Sequence, residues 1–291
     1  MRRLEDAVRQ EVETATEFFN LHGRTLEDLR GRLEHMTADS SAKAYVGATL
    51  DSIGDGLAGL LNYAGSHIGF DAQASLWFNP PVSLDHRLGT VTVGGVNERI
   101  IEVPYAMARL GTLARGAAIL DFGAVESTLS LSLASLGYRV TALDLRHYPF
   151  EHPNLTSVAE LVEEWDGPGE ALDGIASVST LEHVGRSEYG GPIEAPEHDR
   201  VVLERLAGWL KPGGLLVFTA PYGRPGIDSL QRTYGDEQVD RLLEGWTIAD
   251  RTYGVCSDGL HWVTSDVPPP ATTWEAGTAR GVVMVTATRR G

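Results

Sequence analysis

The stretch AILDFGAVES, residues 118–127, decides the fold. A short apolar run ends on Asp121 and breaks at Gly123. Apolar positions at helical spacing then follow in TLSLSLASLG, residues 128–137. That order is strand, turn, helix. Toward the C-terminus, RVTALDL (139–145), GIASVS (174–179) and GLLVFTAP (214–221) read as further strands. A short helix is expected around Val162 and an amphipathic one in VVLERLAGWL (201–210), with LKPGG (210–214) as the turn into the following strand. Continuously apolar strands separated by helices belong to a parallel sheet covered on both faces. With right-handed crossovers this is a doubly wound open α/β sheet, whose ligands sit at the carboxyl ends of its strands. Two late segments, WTIADRTYGV (246–255) and GVVMVTATR (281–289), have no long helix between them and are expected to close the sheet as an antiparallel pair.

Toward the N-terminus, VNERIIEVPYAMARL (96–110) returns to helical spacing. Before it lie short β-like pieces, LWF (76–78) and TVTV (90–93), set off by Asn79-Pro80-Pro81 and Gly89. Further upstream, Leu4, Val8, Val12, Ala15 and Phe19 mark one helical stripe, and Leu26, Leu29, Leu33 and Met36 a second. A third helical run extends from Ser41 to Leu61. The expected organisation is an N-terminal helical region (1–68), a connector or lid (69–115) and a main domain (116–291). One-sided helices must bury their apolar faces, either on the same subunit or in a homodimer, and the sequence leaves both open.

Composition narrows the function classes. The 291 residues carry 24 Lys and Arg against 40 Asp and Glu, a formal charge of −16, which disfavours a phosphate-tracking surface and so nucleic acid or anionic membrane as partners. A single cysteine, Cys256, excludes an internal disulfide framework and a cysteine-rich zinc module. With no apolar export segment after MRRLEDAVRQEVE and no run of eighteen apolar residues, a cytoplasmic location is expected.

The chemistry-bearing residues cluster at the strand ends. Asp121 and Gly123 stand where the first strand turns into a helix, and a glycine there lets backbone approach a nucleotide-like ligand closely. Asp144 ends the second strand, twenty-three residues after Asp121. A carboxylate at that tip is suited to accept hydrogen bonds from both hydroxyls of a ribose. A dinucleotide-binding domain would want G-x-G-x-x-G in the first loop, which here reads Gly-Ala-Val-Glu-Ser.

ILDFGAVES, VTALDL, SVSTLEHVG and LKPGGLLVFTAPYG together resemble successive motifs of class I S-adenosylmethionine-dependent methyltransferases, over a span from Ala117 to the C-terminus. A narrower bacterial branch is resembled through Asn97-Glu98-Arg99, Glu126-Ser127, Asp144 to Arg146, His152 to Asn154, Ser179 to Gly185 and Tyr189-Gly190. The loop departs from the family pattern at Val125 and Ser127, where glycines usually stand. The resemblance implies a Rossmann-like sheet of seven strands with the last antiparallel, plus the N-terminal helical appendage. It implies S-adenosylmethionine as cofactor, S-adenosylhomocysteine as product, and a small-molecule acceptor, a hydroxyl of a sugar or of a glycosylated or secondary metabolite.

By the same resemblance, Asp121, Gly123, Ala124, Ser127 and Ser179 line the cofactor site. Asp144 holds the ribose, Leu145 lies against the adenine, and Glu160, or Leu161 if the alignment slips by one, meets the adenine amine. Ser127 offers a hydroxyl to the cofactor or caps the following helix. Glu98 and Arg99 are implied as part of a lid. At the end of the fourth strand, His183 is the expected base, because a neutral imidazole can take the acceptor's proton. Tyr222 is expected to serve catalysis on the acceptor side, near Tyr189, Arg232 and Tyr234. Glu182 is expected to anchor loop amides, with orientation of His183 or metal ligation as alternatives, and no metal is expected to be required. His152 and His198 are expected to be structural or surface residues. A cofactor-binding sheet could instead run a non-methyl reaction such as a cyclisation, or serve a non-catalytic partner protein.

Overall fold

A computed structural model describes residues 54–66, 69, 79–186, 197–228, 230–269 and 280–290. The helices expected within residues 1–53, the LWF segment and Tyr189-Gly190 lie outside the described residues. Two units are formed, one from Met1–Asp71 with Leu84–Gly94 and one from Ala72–Ser83 with Gly95–Gly291. In the first, helix α1 (Asp55–Ala64) closes the third helical run of the sequence. Asn62 accepts the backbone N–H of His86 at 2.8 Å and donates to its carbonyl at 2.9 Å. Strands β1 (Val82–Arg87) and β2 (Thr90–Val96) form a two-stranded ladder that turns at Gly89, φ +70°.

The second unit carries helix α2 (Arg99–Leu110), β3 (Ala118–Phe122), α3 (Leu129–Ser135), β4 (Arg139–Asp144), β5 (Leu155–Ala159) and β6 (Leu172–Val178). After β6 a single 3-10 turn, Leu181–His183, precedes α4 (His198–Trp209) and β7 (Leu210–Tyr222). The short β8 (Gly226–Ile227) and β9 (Arg232–Thr233), helix α5 (Asp236–Leu242), β10 (Trp246–Cys256), β11 (Trp262–Ser265) and β12 (Arg280–Arg289) complete it.

Successive side chains of a strand point to opposite faces, and the core follows that period. Ile119 and Val217 join Ala106 and Leu110 of α2 and Leu129 and Leu133 of α3 on one face. Leu120, Leu216 and Phe218 join Leu203 and Leu206 of α4 and Val239 of α5 on the other. This is the doubly wound, Rossmann-like sheet with helices on both faces. Strand order is β11-β10-β12-β7-β6-β3-β4-β5. β3, β4, β5, β6 and β7 pair in parallel, whereas β12 is antiparallel to both β7 and β10.

Three details differ from the expected pattern. β5 replaces the predicted short helix, since Val162 lies in a turn in which both Glu164 and Trp165 donate to the Leu161 carbonyl. The strand LTSVA is half polar because it pairs only with β4, at the sheet edge, so it has no continuous apolar run to betray it. β11 raises the strand number from seven to eight; it is four residues long and pairs only with β10, with Val263 67% exposed. The LKPGG turn is a bulge within β7, where register jumps from Leu172 opposite Leu210 to Gly174 opposite Leu215 and Gly213 takes φ +76°. Among the described residues no helix is long and apolar enough to cross a membrane.

Gly254 of β10 leaves room for the Ile101 side chain of α2. A Cβ there would stand 2.2 Å from Ile101 Cδ1 and 2.9 Å from Val282 Cγ2. Gly254→Ala is therefore expected to cost about 1–3 kcal/mol by overpacking, read as a lower urea midpoint at unchanged slope. An unaltered midpoint would show that α2 is not held by this contact.

Candidate active site

Parallel strands that enter the core side by side also leave it side by side, and their carboxyl ends here frame one cavity of about 290 Å³. Gly123 follows β3, Asp144 to Arg146 end β4, Glu160 to Glu163 follow β5, and Ser179 to Gly185 follow β6. Asn79, Glu98, Arg99, Pro221 and Gln231 contribute to its wall.

Gly123 has φ +78° and donates its N–H to the Leu143 carbonyl at 2.8 Å. A Cβ on it would lie 2.2 Å from the Thr180 side chain, so only glycine lets the loops after β3 and β6 meet. Asp144 is held by two backbone donors, Val125 N–H on Oδ2 at 3.1 Å and Arg146 N–H on Oδ1 at 3.0 Å. Arg146 also reaches Glu126 at 3.1 Å, which fixes the β4 tip to the glycine loop. Oδ1 also accepts from Arg146 Nε at 3.4 Å, so of the carboxylate's roughly four acceptor sites the one left for a ligand hydroxyl is on Oδ2. Leu145 is 45% exposed on the cavity rim, and Glu160 is placed beside it by its N–H bond to the Asp144 carbonyl, 3.0 Å.

His183 sits in the 3-10 turn with Nδ1 2.8 Å from the Leu230 carbonyl. A carbonyl only accepts, so Nδ1 carries the proton and Nε2 of the neutral ring holds a lone pair. Glu182 Oε1 is 3.9 Å from that Nε2. Glu182 is 1% exposed and no side chain hydrogen-bonds either carboxyl oxygen. Burial pushes its pKa well above the ordinary carboxylate range, opposed by a bond from its own backbone N–H and by Arg99 and reinforced by Glu102. The anchoring of loop amides expected of Glu182 extends only to its own N–H. The anchor is Arg232, which donates to the Val184 carbonyl at 2.5 Å.

The structure brings Gly123, Asp144, Leu145, Glu160, Ser179 and His183 to one cavity wall. Four expected residues lie away from it. Asp121 is buried behind the loop and accepts from Ser130 Oγ at 2.7 Å, so it steadies the first turn of α3. Ala124 is fully buried in a small cluster with Val125, Ala142 and Tyr148. Ser127 Oγ accepts the Leu129 N–H at 3.0 Å, the capping alternative. Tyr222 turns into the core, edge-on to Tyr253 with ring centroids 4.8 Å apart, and burial, reinforced by the Asp236 carboxylate, raises its pKa. Its neighbour Pro221 reaches the cavity instead, because adjacent strand residues face opposite sides. Tyr234 bonds Asp199 at 2.8 Å, and His152 accepts the Asn154 N–H at 3.1 Å in the turn before β5. His198 meets Glu163 at 2.5 Å.

Sequence reasoning missed the polar floor of the cavity. Arg99 Nη1 donates to Glu102 Oε2 at 3.0 Å and to the Val178 carbonyl at 3.3 Å, and Ser179 Oγ donates to Glu102 Oε1 at 2.7 Å. Arg99, Glu102, Ala106 and Leu110 form the buried stripe of α2. Two charges in line with two apolar residues at helical spacing were the available signal.

Comparison with known proteins places the chain among related sequences and folds. Residues 147–260 match a family model described as "Caenorhabditis protein of unknown function, DUF268". The chain is 32% identical over 148 residues to the ubiquinone biosynthesis O-methyltransferase of Xanthomonas axonopodis pv. citri (strain 306). The match covers 49% of this chain and 58% of that relative. Among solved structures, the Burkholderia thailandensis 1,6-didemethyltoxoflavin-N1-methyltransferase, with bound 1,6-didemethyltoxoflavin and S-adenosylhomocysteine, superposes with a TM-score of 0.45 at 23% identity over 65% of this chain and 77% of its own. The [4+2]-cyclase SpnF superposes with a TM-score of 0.46 at 14% identity over 74% and 85%.

Burial raises the Asp121 carboxyl from 3.8 to about 6, the Ser130 bond opposing and the Asp144 charge reinforcing the shift. The folded state thus binds this proton more tightly than the unfolded chain. Its contribution to stability falls as pH rises from about 4 to about 6, by up to ~3 kcal/mol, and the deficit persists above that. Asp121→Asn is expected to gain stability relative to the wild type across that window in urea titrations at stepped pH. Parallel curves for the two proteins would contradict the assignment.

Proposed function

We propose that this chain is a class I S-adenosylmethionine-dependent methyltransferase that methylates an oxygen of a small molecule. The observation that carries the reading is the convergence of Gly123, the doubly anchored Asp144 and a His183 of defined tautomer on one cavity at the carboxyl ends of a doubly wound sheet. Leaving aside the buried Glu182, five carboxylates, of Glu98, Glu126, Asp144, Glu160 and Glu163, line it against the guanidinium groups of Arg99 and Arg146. That excess of negative charge suits a sulfonium nucleoside. S-adenosylmethionine, when bound, supplies an electrophilic methyl group on its sulfonium sulfur.

In this reading Asp144 Oδ2 accepts from a ribose hydroxyl, Leu145 offers an apolar surface to the adenine and Glu160 accepts from its amine. His183 Nε2 receives the proton of the acceptor hydroxyl, and the Leu230 carbonyl, by accepting from Nδ1–H, leaves the lone pair of the neutral ring on Nε2. Closure of the cavity around both reactants contributes by positioning as well. The acceptor proposed is a hydroxyl of a sugar or of a glycosylated or secondary metabolite, supported by the motif set shared with the narrower bacterial branch. Oxygen as the methylated atom is further supported by the name of the Xanthomonas relative. A homodimer formed through the N-terminal helical region, with residues 69–115 as connector or lid, and a cytoplasmic location belong to the same reading.

Incubation with methyl-labelled S-adenosylmethionine and a panel of sugar-bearing and phenolic acceptors is expected to label a product. His183→Ala is expected to slow that transfer by roughly a hundredfold or more, with S-adenosylhomocysteine affinity within about threefold of wild type. A rate equal to wild type would remove His183 as the base.

A further inference from the structure

We propose that Glu102 is a positioning residue for this cavity: from the helix ahead of the main sheet it holds Ser179 in a left-handed backbone conformation and so sets the direction in which Thr180 to His183 leave β6. Ser179 has φ +43°, in the region that a residue bearing a Cβ rarely adopts. Such a conformation persists only where the surroundings over-determine it. Ser179 is held from two elements. Its N–H donates toward the Thr219 carbonyl at 3.1 Å and the Thr219 hydroxyl at 3.0 Å, and its own hydroxyl donates to Glu102 Oε1 at 2.7 Å.

The second oxygen of Glu102 is taken by Arg99, whose Nη1 also bonds the Val178 carbonyl. The first turn of α2 therefore clasps the last residue of β6 and the one after it. Glu102 is fully buried and Arg99 nearly so, at 0% and 9% exposure. Replacing a buried ion pair by apolar residues of similar volume is often neutral or stabilising. Stability alone gives little reason for this pair, whereas its two bonds to the end of β6 give a geometric one. With Ser179 at positive φ, Thr180 packs into the space that Gly123 leaves open and the 3-10 turn carries His183 to the cavity wall. With Ser179 at negative φ its hydroxyl leaves Glu102 and the chain exits β6 in another direction.

The test reads the backbone of Ser179 and the affinity for S-adenosylhomocysteine; only the second readout rests on the proposed function. In Glu102→Ala, the Cα and Cβ chemical shifts of Ser179 are expected to move from left-handed to extended values, and the affinity to fall roughly tenfold or more. Glu102→Gln keeps an oxygen that accepts from the Ser179 hydroxyl and is expected to keep the left-handed shifts. Adding Ser179→Gly to Glu102→Ala is expected to recover most of the lost affinity, because glycine takes positive φ without a Cβ penalty. A structural role alone would not be rescued in this way. If Glu102→Ala does not fold, the apolar pair Arg99→Met with Glu102→Leu serves the comparison of Ser179 shifts alone, because Arg99 itself lines the cavity. Unchanged Ser179 shifts in folded Glu102→Ala or in the apolar double variant, or no recovery on adding Ser179→Gly to Glu102→Ala, would overturn the proposal. A wild-type protein that binds no S-adenosylhomocysteine would sink the methyltransferase reading, and the Ser179 shifts would still decide this one.

Discussion

The absence of a Cβ at Gly123 is the constraint on which the site depends. The Thr180 side chain occupies that space, so the loops leaving β3 and β6 interlock at a point where any other residue would force them apart. The parallel sheet sets up this meeting. β3 is paired to β4 on one side and β6 on the other, so their carboxyl ends are adjacent by construction. The Leu143 carbonyl then draws the Gly123 N–H toward β4, and the cavity is the crevice left between the three loops.

Polar groups around the crevice are organised in depth. At the wall, Asp144 is clamped by backbone donors and Arg146, and His183 is oriented by a main-chain carbonyl. Behind the wall, Asp121 is tied to Ser130 and Ser179 to Glu102. Burying carboxylates at this depth disfavours their charged form, and the raised pKa values of Asp121, Glu102 and Glu182 follow chiefly from desolvation. Of these, Asp121 and Glu102 hold their neighbours Ser130 and Ser179 in one arrangement.

Much of this architecture was legible in the sequence because buried parallel strands are written as continuous apolar runs. β3, β4, β6 and β7 fall where AAIL, RVTALDL, GIASVS and GLLVFTAP stand. β5 and β11 escaped for the opposite reason: each has one strand neighbour and half-exposed faces, so LTSVA and WVTS lack the pattern. Spacing identified the loops that carry the site but not which side chains in them face the cavity. Asp121 and Asp144 look equivalent as acids near strand ends, yet Asp121 is an interior residue of β3 whereas Asp144 is the last residue of β4. Tyr222 and Pro221 are separated by the same one-residue alternation. Arg99 and Glu102 became interpretable only once α2 was seen to pack its charged stripe against the end of β6.

The central claim, that the crevice between β3, β4 and β6 binds the nucleoside of S-adenosylmethionine through Asp144, is tested most directly by calorimetric titration of S-adenosylhomocysteine into the wild type and Asp144→Ala. Loss of the ribose hydrogen bonding to this carboxylate predicts saturable binding to the wild type, weakened roughly ten- to a hundredfold or more in the variant. Equal affinities, or no binding to the wild type, would contradict it.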